Sequence, residues 1–146
     1  MKKRILMGLT TLALVGTLTG CGSKKNKTLT CTQTIEVDGM KTEEKLVYKF
    51  KDNKVTKLTE TRKVIFDGEM KDLLDEYKGS AKESVDSFKE IDGVTAKTDT
   101  KDNTITTTVT YDAKKVDSSL KDAQLLNESY ESIKDIKGQQ NGYTCK

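Results

Sequence analysis

The chain has 146 residues, of which 34% are hydrophobic and 34% charged, and it contains no histidine, tryptophan or proline. The lack of histidine excludes His-based general-base catalysis and His metal ligation, which removes the commonest hydrolase chemistries. The formal charge of +3 comes entirely from residues 1–20, which hold three basic and no acidic side chains, so the remainder is neutral and gives no electrostatic reason to expect nucleic-acid binding.

Residues Met1 to Arg4 are basic, and Ile5 to Leu18 carry no charge. As a helix this run would cover roughly 21 Å, short of the ~30 Å hydrocarbon core, so it reads as an export signal to be removed and not as a permanent span. It ends in Leu18-Thr19-Gly20-Cys21, which resembles the bacterial lipobox. That resemblance implies a diacylglycerol on the Cys21 thiol, cleavage just before Cys21, acylation of the new amine, and a protein held at the extracytoplasmic face of the cell membrane. Two acyl chains pass the threshold at which one would let go. The other reading is an ordinary secretory signal that leaves Cys21 as a free or disulfide-bonded thiol. Ser23 to Lys27 form a short polar tether, which is either a solvated linker or one whose Lys24, Lys25 and Lys27 meet anionic headgroups.

Residues 28–146 are enough for one domain. Leu29, Cys31, Gln33, Ile35 and Val37 alternate onto one face, and Asp38-Gly39 supplies a tight turn. Leu46, Tyr48 and Phe50 continue the alternation, Asp52-Asn53 marks a second turn, and Val55 to Phe66 reads as a third strand. The period then switches to 3.6: Met70, Leu73, Leu74, Tyr77, Ala81, Val85 and Phe88 fall on one helical stripe, with Gly79-Ser80 as the point where the helix could divide in two. Val94 to Thr100 and Thr104 to Tyr111, joined by Lys101-Asp102-Asn103, make a second hairpin with Ile105, Val109 and Tyr111 inward and Thr106, Thr108 and Thr110 outward.

In the tail, Val116 and Leu120 fall in a loop or short turn. Asn127 is placed to cap a second helix through Tyr130, Ile133 and Ile136 or Lys137, Gly138 to stop it, and Gly142 to Cys145 to form a brief last strand. The predicted class is α+β: an antiparallel sheet of hairpin and meander units, covered on one face by a long helix, with a second short C-terminal helix.

This order, the lipobox, and the phrases Tyr48-Lys49-Phe50, Phe88-Lys89-Glu90-Ile91-Asp92-Gly93-Val94 and Gly142-Tyr143 resemble the YehR-like family of small bacterial lipoproteins. The resemblance spans nearly the whole chain. The family is a domain of unknown function, so it implies a fold and supplies no catalytic residues.

Cys31 and Cys145 remain once Cys21 is assigned to lipid. In a domain outside the cytoplasm they read as a disulfide, against two free thiols or a redox pair, and exchange-active pairs usually lie close together as Cys-x-x-Cys. Ser-Lys or paired-carboxylate catalysis stays formally open, but no serine among Ser80, Ser84, Ser87, Ser118 and Ser119 stands out. The acidic residues from Asp72 to Glu90 alternate with lysines as a solvated helix face does. Asp99, Asp102, Asn103 and Asp112 lack EF-hand spacing and fit turns without calcium. Arg62 is the only arginine beyond the leader, which leaves little for bidentate recognition of phosphate or bases.

The sequence therefore predicts a non-enzymatic extracytoplasmic lipoprotein without cofactor, metal or nucleic-acid partner. Its membrane contact is the Cys21 lipid, and it would bind an envelope protein, a polymer or a small ligand. The alternative is a carrier or chaperone for an apolar ligand in the gap between helix and sheet. The small apolar content argues against a large apolar cavity, because most of it is needed for the core.

Overall fold

The computed structural model describes residues 25–146. Cys21, the export signal and the first part of the tether lie outside the described residues. The chain runs β1 (Asn26–Val37), β2 (Met40–Lys51), β3 (Lys54–Phe66), a 3-10 turn (Gly68–Leu73), α1 (Leu74–Phe88), β4 (Val94–Lys101) and β5 (Thr104–Asp112). It continues through α2 (Ser118–Ala123), α3 (Tyr130–Asp135), a π turn (Ile136–Gln140) and β6 (Thr144–Cys145). The strands form one antiparallel sheet in the order β4-β5-β3-β2-β1-β6, with the helices on one face, so the α+β class read from the sequence is the class of the structure.

Short turns set the register. Asp38-Gly39 and Asp52-Asn53 each place two residues at positive φ, the requirement of a two-residue hairpin turn that follows the right-handed twist of its strands. Asp102 sits at φ 53° in the third hairpin turn. Asn103 beside it donates to the Phe66 carbonyl at 2.7 Å and accepts from the Phe66 N–H at 3.0 Å, tying the second hairpin to the end of β3.

The antiparallel register divides the strand residues between two faces. On the covered face Leu29, Tyr48, Leu58, Tyr111 and Val94 form a continuous buried row across five strands. The C-terminal segment adds Val116, Leu126 and Ile133 to the same core. The uncovered face carries threonines and lysines; one row reads Thr144, Thr32, Lys45, Thr61, Thr108, Lys97. The outward threonines of β5 fall on this face, as the alternation requires.

Five details depart from the sequence reading, one being that the π turn runs on through Gly138, which was expected to stop the second helix. The strand β1 begins at Asn26, inside the stretch assigned to the tether at 21–27, and Lys27 lies over the Tyr130 ring at 4.8 Å, so it is engaged with α3. The long helix passes through Gly79 unbroken; the change of helix type comes earlier, between Leu73 and Leu74. Leu120, placed in a loop or turn, lies in α2. Ser129, not Asn127, caps α3, its hydroxyl accepting from the Ser132 N–H at 3.3 Å, while the Asn127 amide donates to Asp122.

Candidate functional site

Two separate covers lie on the sheet. The helix α1 packs over β4 and β5, held at its ends by aromatic pairs: Tyr77 on Phe66 (ring centroids 4.9 Å apart) and Phe88 on Tyr111 (6.4 Å). The C-terminal segment covers the β1 side, with Tyr130 edge-on to Phe50 at 5.4 Å. Between these pinned ends Val85 is buried, and Ser80, Ala81 and Ser84 line a side of α1 that carries only small side chains. The space left is an open groove of about 370 Å³.

The walls of this groove are mixed. Val64, Tyr77, Ala81, Phe88, Ile105 and Val109 give it apolar sides, and Glu60 and Arg62 bring charge to the sheet floor. Both charged residues belong to the covered face because they share the parity of Leu58 and Val64 along β3. In register, Glu60 stands opposite Leu46 and Val109, and Arg62 stands opposite Glu44 and Thr107.

These side chains form a polar belt across the middle of an otherwise apolar face. The Tyr143 hydroxyl donates to Glu44 at 2.6 Å, and the Arg62 Nε lies 3.7 Å from the same carboxylate. The Tyr111 hydroxyl donates to Glu60 at 3.4 Å, a long and weak contact. Burial, opposed by Lys137 and Tyr111 and reinforced by the charge of Glu44, pushes the Glu60 carboxyl above the usual carboxylate range. Burial likewise raises the phenols of Tyr48, Tyr111 and Tyr143.

Chemically, the floor offers a guanidinium with Nη donors beyond its contact to Glu44, and a carboxyl that burial holds above the usual carboxylate range. In the groove, however, neither Ser80 nor Ser84 hydrogen-bonds a basic side chain, the pairing that activates a nucleophile.

The sequence-predicted residues lie elsewhere. Cys21 is outside the described residues. Cys31 and Cys145 are directly opposed on β1 and β6 with Cα atoms 4.0 Å apart, and their sulfurs are bonded. Thr30 and Lys146 next to them exchange both backbone hydrogen bonds at 2.9 Å, which makes the cysteines the close, non-hydrogen-bonded pair of the ladder. Asp102 and Asn103 serve the hairpin turn, and Asp112 accepts from the Lys114 N–H at 3.0 Å.

Glu44, Glu60, Arg62 and Tyr143 were not singled out as site residues from the sequence. Their signal was a charged residue at an inward position of a strand: Glu44 two before Leu46, and Glu60 and Arg62 between Leu58 and Val64.

The arrangement defines a small open-faced α+β module with a groove beside its long helix. The fold matches the NMR structure of the YehR protein of Escherichia coli, with a TM-score of 0.60 and 20% identity over 84% of this chain and 91% of that one. It also matches the NMR structure of a protein from Streptococcus pneumoniae TIGR4, with a TM-score of 0.56 and 16% identity over 100% of this chain and 96% of that one. At these identities the likeness is one of fold, and the fold is YehR-like. No family model matches the chain, and no curated protein matches it.

Proposed function

We propose that the protein is a non-enzymatic, lipid-anchored binding module of the cell envelope whose ligand site is the groove between α1 and β3–β5. The lipobox at Leu18 to Cys21 supports the anchor, and the groove supports the binding role. Its volume of about 370 Å³ falls at the lower end of the range of ligand pockets, roughly 300–1,000 Å³.

The observation that carries this reading is the combination of apolar walls with Arg62 and Glu60 on the floor. It favours an amphipathic acid, with its carboxylate on the Arg62 guanidinium and its apolar body against Val64, Ile105 and Phe88. A carrier of wholly apolar ligands fits less well, because such a ligand would cover the Arg62 guanidinium and the Glu60 carboxyl without offering either a hydrogen bond.

Titration of the full chain with medium-length alkyl carboxylates, followed by calorimetry, tests this. Saturable binding is expected, weakened at least about tenfold by Arg62→Ala, the scale of losing one charged hydrogen bond. Equal affinity for alkyl amines, or no effect of Arg62→Ala, would refute the ligand assignment. Intact mass of the envelope-extracted protein tests the anchor: a chain beginning at Cys21 with diacylglycerol is expected, and an unmodified Cys21 would sink it.

A further inference from the structure

The mature chain is neutral, but its charge is unevenly placed. Lys45, Lys49, Lys51, Lys54 and Lys57 all project from the uncovered face, all are exposed, and none makes an ion pair among the described residues. Four of them cluster around the β2–β3 turn, where Asp52 is the acidic neighbour; Lys57 alone also borders Asp112, Glu90 and Asp92, together with Lys89 and Lys115. Towards the opposite end of the same face the charges are more evenly matched: Lys41 lies 3.0 Å from Glu43 and 3.9 Å from Glu36, Lys63 acts on the same Glu43, and Asp99 stands between Lys97 and Lys101. The cationic excess therefore sits at one end of a broad, flat surface.

That end is where the chain enters the domain. Asn26 opens β1 directly opposite Lys51, and only four residues lie between it and Cys21, five peptide steps with a reach of about 17 Å fully extended. We infer that the uncovered lysine-threonine face is a membrane-docking surface that lies on the anionic headgroups of the leaflet holding the anchor. The inference rests on the lipid-anchor reading for its geometry. Threonines fill the spaces between the lysines, and Val47 and Ile65 are the large aliphatic residues on this face, so it would rest on headgroups without entering the acyl region. With this face down, the groove on the other side of the sheet opens away from the membrane.

The test uses the full-length lipidated protein in phosphatidylcholine vesicles with and without phosphatidylglycerol, reading lysine acetylation rates by mass spectrometry. Lys45, Lys49 and Lys57 are expected to react severalfold more slowly on the anionic vesicles, with Lys71, Lys78 and Lys82 on the helical side unchanged and the protection lost at high salt. The variant K45E/K49E/K57E should lose the protection, and K45Q/K49Q/K57Q provides the same comparison if charge reversal prevents folding. Equal rates on both vesicles, or slowing on the helical side, would overturn the inference. Protection of the same lysines by soluble polyphosphate but not by anionic vesicles would also overturn it, in favour of an anionic polymer.

Should Cys21 carry no lipid, the anchor reading fails separately. Docking is then read from co-sedimentation of the unlipidated chain, which should fall about fivefold for each lysine neutralised; no sedimentation with anionic vesicles refutes docking as well.

Discussion

The two covers on the sheet differ in a way their lengths do not suggest. The helix α1 has 15 residues but buries only Val85 fully, whereas α2 and α3, with six residues each, belong to a segment that buries Val116, Leu126 and Ile133. The long helix is pinned at its ends, with Tyr77 still 37% exposed, and is supported along its outer face by exposed pairs such as Lys78–Asp75. The short, irregular segment fills the core and is bonded to β1 through Cys145. Helical regularity is thus a poor guide to how much an element stabilises this fold. The groove lies beside the cover with less invested in its contacts.

The largest expected effect tests the tied half. Replacing Cys31 and Cys145 by alanine opens a connection spanning 114 residues and should cost about 4–5 kcal/mol in the chain-entropy model, seen as a lower denaturant midpoint. A change below about 1 kcal/mol would mean that packing alone holds the C-terminal segment.

Next comes a direct comparison of the covers. Ile133→Ala, at a fully buried position, should cost about 3 kcal/mol, while Val85→Ala should cost about 1.5 kcal/mol. Equal losses in thermal or chemical unfolding would show that α1 contributes as much as the tail.

Glu60→Gln examines the floor between the covers. Glu60 has its folded-state pKa raised above 4.5, so the folded protein holds the proton more tightly than the unfolded chain. Stability is therefore lost as pH rises from 4.5 through the folded-state value, and the loss is complete above it. The glutamine variant should be more stable near neutral pH, by up to about 1 kcal/mol after allowing for solvent access, with the gain vanishing below the ordinary glutamate pKa. A gain that grows on acidification would show that Glu60 is stabilised as the anion.

The smallest effect lies on α1. Gly79 is helical, and an added Cβ would meet nothing within 4 Å, so Gly79→Ala should stabilise by about 0.5–1 kcal/mol without altering ligand titration.

Much of the framework was legible because its signals are local. Asp38-Gly39, Asp52-Asn53 and Asp102-Asn103 marked the hairpins, and alternation placed Leu29, Tyr48, Ile105 and Tyr111 inward. The β3–β5 pairing was not legible, because the chain passes through α1 and β4 between those strands and no turn connects them. Ile35 and Val37 share the inward parity of Leu29 yet are 45% and 55% exposed, since neither cover extends over that end of β1. The α1 stripe was legible as a face from Ala81 to Phe88, but Met70 and Leu73 fall in the 3-10 turn and Leu73 and Tyr77 are exposed. The groove was not legible, because it is lined by Ser80, Ala81 and Ser84 beside that stripe and by charged residues that interrupt the apolar alternation of β3.

The cross-strand bond has a mechanical consequence. Cys31 lies five residues into the domain and Cys145 is next to its end, so tension applied between Asn26 and Lys146 passes through the sulfur bridge. The intervening 114-residue span is bypassed by that load. A pull between the two ends would load Asn26 to Cys31 of β1 and the last two residues, and would leave β2 to β5, both covers and the groove unloaded.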